Sequence, residues 1–100
     1  MISVNQPKFQ LGMTLITPGA QEALAATGES PWTLFARHVR GDWGTVDAED
    51  AALNDEALKD GSRLLSAYRL KDGTKIWVIT EAEGDNGKRE ATTILLPEEY

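Results

Sequence analysis

The last third of the chain alternates with a period near two: "RLLSAYRL", "KIWVIT" and "ATTILLP" send apolar and polar side chains to opposite sides, the pattern of three strands. Between the first two lies "KDGT", whose Asp72-Gly73 pair favours a two-residue hairpin with a primed turn. Counting outward from such a turn sets Leu70 against Lys75, Tyr68 against Trp77, Ser66 against Ile79 and Leu64 against Glu81. That leaves Leu65, Ala67, Ile76, Val78 and Thr80 on a smooth second face, the expected floor for helices. The first face mixes Tyr68 and Trp77 with Ser66, Lys75, Glu81 and Thr92, and is the face expected to stay open.

Upstream the pattern is helical and punctuated. Thr17 before Pro18 opens one helix that Gly28 closes; Ser30 before Pro31 opens a second that Gly41 closes. Asp47, with Asp50 three residues on and acids in the first turn, opens a third that ends at Gly61. Met13 to Ile16 is a short β-prone run suited to an edge strand. Residues 1–12 lack periodicity and read as a flexible extension, followed by one domain over residues 13–100. Helices ahead of an antiparallel meander predict an α+β fold: about three N-terminal helices on one face of a C-terminal antiparallel sheet of three to four strands.

Composition narrows the chemistry. The chain is 41% hydrophobic and 26% charged, with three tryptophans, as suits a folded domain rather than a disordered one. Without cysteine and with one histidine it has no disulfide, no thiolate nucleophile and no ligand set for zinc, and no cofactor motif is present. No apolar run is long enough for a bilayer and "MISVNQPKFQ" lacks a signal-peptide pattern, so a soluble, cytoplasmic chain without membrane contact is expected. The net charge of -6 repels phosphate backbones, which makes a protein with a basic surface the favoured partner over nucleic acid.

Reactive side chains concentrate in "RHVRGDWG". Leu34, Phe35 and His38 share a helix face, while Arg37 and Arg40 point elsewhere. His38 reads either as a general base with Ser66 or Tyr68 in reach, or as a half-buried histidine that closes the helix and caps a carbonyl. Asp42, Trp43 and Gly44 read most simply as a turn with Trp43 as its core anchor. Arg63, Lys75 and Glu81 interrupt otherwise apolar strands; Lys75 and Glu81 could pair on the exposed face, or Arg63 could join His38 around a phosphate. The acids of the third helix read as a solvated face. Candidate binding residues are thus Arg37, Arg40, Asp42, Trp43, Tyr68, Trp77 and Glu81.

As a set, "TPGAQEAL", "SPWTLFARHVRGDWG", "LNDEALKDGSRLLSAYRLKDGTKIWVITEA" and "TTILLPEEY" resemble a widespread family of small bacterial proteins described as plasmid-related, over residues 13–100. The resemblance implies accessory cargo of mobile elements and supplies no activity. The chain departs from it at "ITEAEGDNGKREATT", where the family has a shorter turn. Two functions are expected on this basis. One is protein binding, in its concrete form anti-defence masking of a restriction or CRISPR complex. The other, by likeness to the barnase, colicin and toxin fold, is metal-independent RNA cleavage with His38 as base, Arg63 and Lys75 on the phosphate, and Ser66 or Thr92 orienting it. A homodimer formed through the Tyr68 and Trp77 face is a further expectation.

Overall fold

A computed structural model describes residues 6–100. In chain order the elements are β1 (Met13–Ile16), α1 (Pro18–Thr27), α2 (Pro31–Val39), α3 (Ala48–Asp60), β2 (Leu64–Arg69), β3 (Lys75–Thr80), β4 (Ala91–Leu95) and a 3-10 turn, Pro97–Glu99. The helix punctuation acts as expected. Thr17 accepts from Ala20 N, Ser30 from Trp32 N and Asp47 from Asp50 N, while Gly28 and Gly61 end α1 and α3 in the left-handed region.

The sheet runs β1-β4-β3-β2, with β1 parallel to β4 and the other pairs antiparallel. Two expectations are corrected here. The sheet is mixed rather than an antiparallel meander, and the helices lie between β1 and β2 rather than at the N-terminus. The physical reason is the crossover: a chain that leaves β1 and passes through three helices on one face can bring β4 back parallel beside it.

The hairpin is also one residue out of the expected register. Gly73 N donates to Leu70 O and Leu70 N to Thr74 O, both at 2.9 Å, and Gly73 has φ +88°. This is a three-residue loop with glycine in the left-handed position, not a two-residue primed turn. Tyr68 therefore faces Ile76, Ser66 faces Val78 and Leu64 faces Thr80. The slip reverses the faces of β2. Leu64, Ser66 and Tyr68 join Ile76, Val78, Thr80, Thr92 and Ile94 under the helices, all buried, while Trp77 stays on the uncovered face.

The core follows from this floor. Ala20 and Leu24 of α1 and Leu34 and Phe35 of α2 pack on Tyr68, Ile76, Val78 and Ile94; Ala57 of α3 and Trp43 pack on Leu64. From Lys8 onward the expected loose extension is part of this structure. Lys8 N donates to Val39 O at 2.7 Å, Phe9 packs with Trp43 and Leu64, and Leu11 joins the main cluster. Residues 1–5 of that expected extension lie outside the described residues.

Candidate functional site

His38 sits at the centre of a buried polar thread. Its Nδ1 is 2.5 Å from Ser66 Oγ and its Nε2 2.8 Å from Thr80 Oγ1; Thr80 Oγ1 is 2.7 Å from Thr92 Oγ1, which donates to Leu11 O at 2.7 Å. The direction of the bonds from Nε2 onward follows from the last one, because a carbonyl oxygen only accepts. Thr92 gives its proton to Leu11, so it accepts from Thr80; Thr80 then accepts from Nε2–H. Burial keeps the ring neutral, so with its single proton on Nε2 the Nδ1 accepts from Ser66.

Burial enforces the same state. His38, Ser66, Thr80 and Thr92 are fully buried, and desolvation together with the Arg89 charge lowers the His38 pKa to about 3. Phe9 meets the imidazole edge-on at 5.2 Å between ring centroids and Trp43 does so at 5.8 Å, closing it from above. The half-buried, helix-capping histidine is corrected accordingly: both ring nitrogens bond to strand side chains, and α2 ends at Arg40 with no help from the ring.

Of the residues expected to cleave RNA, the fold gathers His38, Ser66 and Thr92 and separates Arg63 and Lys75. Arg63 lies on the uncovered side of the sheet, with its guanidinium bonded to Tyr100 Oη and 5.5 Å from that ring's centroid. Lys75 is exposed and paired with Arg69 at the hairpin end. The Lys75–Glu81 pair is corrected too: they stand at opposite ends of β3, and among the described residues Arg37–Asp42 is the ion pair present.

The "RHVRGDWG" corner is largely structural. Asp42 Oδ1 accepts from Gly44 N at 3.1 Å and Oδ2 from Arg37 Nε at 2.7 Å, which holds its carboxyl below the usual range. Arg37 lies 4.4 Å over the Tyr68 ring. Tyr68, expected on the open face, is buried by the register slip; its hydroxyl donates to Asp42 O at 2.6 Å, and burial pushes its pKa up to about 12. Trp43 anchors the turn in the core and donates to Asp55 at 3.2 Å, and Arg40 is half-buried. On the uncovered face, Trp77 packs edge-on against Tyr100, while Glu81 and Arg63 border a shallow groove of about 470 Å³.

One residue with a large role escaped the sequence reading. Arg89 is only 6% exposed and donates to Ser62 O, Glu81 O and Ala57 O at 2.7–3.1 Å. It thereby ties the "EGDNGKRE" loop to the C-terminal end of α3, where the helix dipole favours a cation. Nothing local in the sequence marks it, since its acceptors are carbonyls from three separate segments.

The strongest surface feature lies on α3. Residues 47–60 hold six acids, Asp47, Glu49, Asp50, Asp55, Glu56 and Asp60, against Lys59, so five of the six net negative charges of the chain reside there. None of them forms an ion pair with a described residue. The inner side of α3 is Ala51, Asn54, Ala57 and Leu58; its outer stripe is Glu49, Ala52, Leu53, Glu56 and Asp60. Leu53, 62% exposed, sits in the middle of the acids. Among the described residues no cluster of His, Cys, Asp or Glu is arranged to hold a metal, and no helix is long and apolar enough to cross a membrane. Comparison with protein-family models, with curated proteins and with solved structures finds no match to this chain.

Proposed function

We propose that the chain is a non-enzymatic binding protein that presents α3 to a partner with a basic surface. The observation that carries this reading is the placement of five of six net charges on one helix around an exposed leucine. An apolar anchor inside a charged rim is the anatomy of a small interface: the anchor holds the partner while the rim steers it and sets orientation. A solvated helix face explains the acids alone; it does not explain Leu53 at their centre. The sealed, internally satisfied His38 thread supports the non-enzymatic half of the reading, because it offers no approach to a substrate.

The resemblance to plasmid-related proteins supplies the setting, accessory cargo of a mobile element. Within it, the chemistry of α3 suits occlusion of a basic nucleic-acid channel, as in a restriction or CRISPR complex, with carboxylates standing where phosphates would bind. The test is DNA binding by such purified complexes in the presence of the protein. Displacement of DNA should weaken steeply with added salt and be lost in Leu53→Ser and in the triple variant Glu49→Gln, Asp50→Asn, Glu56→Gln. Low-salt capture from host lysate that recovers no partner, or capture that both variants leave unchanged, would overturn the proposal.

A further inference from the structure

The two edges of the sheet are treated very differently. On β2, Leu65 and Ala67 turn their backbone groups outward, and both are satisfied. The Asn54 carboxamide bonds Leu65 O at 2.7 Å and Leu65 N at 3.1 Å; Thr45 N donates to Ala67 O at 2.6 Å and Ala67 N to Trp43 O at 3.1 Å. On β1, Met13 N and Thr17 N turn inward, to Glu90 O and Ile94 O of the β4 segment. Thr14 and Ile16 between them therefore turn N–H and C=O outward. No described residue meets those four groups.

Edge strands are ordinarily protected by charge, proline or a bulge. "MTLI" has none of these. Its surroundings are equally neutral: residues 10–28, which comprise β1, α1 and their flanks, contain one charged side chain, Glu22, in a chain that is 26% charged. Met13 and Leu15 are 65% and 42% exposed on the uncovered face, and Ala25 and Ala26 of α1 are exposed on the other.

We infer that this edge binds a second copy of the chain, with β1 antiparallel to its own copy across a two-fold axis. A two-fold contact brings a patch onto itself, so in a chain of net charge -6 it must avoid the acids. The β1 and α1 side is the part that does so. The register is also determined. Centring on Thr14 would require Gly12 to pair, and Gly12 has φ +67°, outside the extended region. Centring on Ile16 would require a donor from Pro18, which has none. Centring on Leu15 uses only Thr14 and Ile16: each exchanges both bonds with the other residue of the second copy, four bonds in all, and the two Leu15 side chains meet on the axis. The product is a continuous eight-stranded sheet with an α3 at each far end.

The absence of cysteine makes the test clean. Leu15 faces its copy in a non-hydrogen-bonded pair with Cα atoms about 4.5 Å apart, within disulfide range. In the same register Met13 stands about 13 Å from its copy. Sedimentation equilibrium of the full chain should show a species of twice 10.9 kDa. Under mild oxidation Leu15→Cys should link into a covalent dimer and Met13→Cys should not. Leu15→Lys should weaken dimerisation by at least about tenfold. Thr14→Pro, which deletes an outward donor but no bond to β4, should do the same with an unchanged circular dichroism spectrum. A monomer at all concentrations, equal linking through position 13, or a dimer that survives both Leu15→Lys and Thr14→Pro would overturn the assignment.

Discussion

Acidification should destabilise the fold through one side chain, in a window where few others titrate. His38 is the only histidine, and its pKa falls from an ordinary 6.5 when unfolded to about 3 when folded. The sign follows directly. Above pH 6.5 both states are neutral at this site; below it the unfolded chain binds a proton that the folded chain refuses, so stability is lost as pH falls from 6.5 toward 3. The limiting slope is about 1.4 kcal/mol per pH unit, and integration from pH 7 to pH 5 gives a loss of about 2 kcal/mol. That is a large share of the 5–15 kcal/mol typical of a domain.

Urea unfolding at pH 7, 6, 5.5 and 5 measures it, with an expected midpoint shift of roughly 1 M. The carboxylates held low by hydrogen bonds, such as Glu29, Asp42 and Glu99, lose their contribution in the same direction but mainly below about pH 5. His38→Gln separates the two effects: whatever its own stability, its dependence between pH 7 and 5.5 should be nearly flat. Nitrogen shifts of the imidazole in the wild type should report the Nε2–H tautomer down to pH 5. A flat wild-type profile, or an equal slope in His38→Gln, refutes the claim that burial and the Arg89 charge hold the ring neutral.

Three further outcomes follow from contacts elsewhere. Gly44 has φ +74° and a Cβ there would run into the Ala67 carbonyl, so Gly44→Ala should cost about 3 kcal/mol or more, whereas Gly28→Ala, at φ +71° in open space, should cost only the 1–2 kcal/mol of the left-handed conformation; thermal melts compare the two. Arg89→Met should lose about 3 kcal/mol, because three carbonyls lose their donor, and urea titration at pH 7 reads it. Phe9→Ala should cost about 2–3 kcal/mol, since Phe9 touches His38, stacks on Trp43 and lies 5.8 Å below the Arg89 guanidinium; a loose tail would show no change in melting temperature.

What was legible in the sequence was whatever local chemistry decides. Thr17-Pro18, Ser30-Pro31 and Asp47 with Asp50 marked the three helix starts because capping is settled within four residues, and Met13–Ile16 forms a strand as its own β-prone residues predict. Sheet order was not legible. The parallel bond of β1 to β4 links residues nearly eighty positions apart, and nothing in "MTLI" states which strand it will join. The packing of Phe9 was missed likewise, because a segment without periodicity can still be pinned by aromatic contacts and one backbone bond to Val39. Arg89 shows the same limit: its three acceptors come from α3, the turn at Ser62 and the end of β3, which meet only in the folded chain.

The hairpin slip shows why the candidate site itself read wrongly. On β2 the choice lay between burying Leu64, Ser66 and Tyr68 or Leu65 and Ala67 with Arg69 at the end, and counting from a two-residue turn at Asp72-Gly73 selects the second. Burial of Ser66, Thr80 and Thr92 is costly only when their hydroxyls go unmet. Here His38 meets two of them and the Leu11 carbonyl ends the thread, so no buried side-chain polar atom among the described residues lacks a partner. The thread joins α2, β2, β3, β4 and the N-terminal segment in one direction of donation, and a shift of any strand by one residue would leave at least one hydroxyl or ring nitrogen unpaired. The same histidine that resembles a catalytic base in sequence is thus the reason the polar face of β2 can be the buried one. It explains, too, why the reactive-looking Ser66, Tyr68 and Thr92 lie inside.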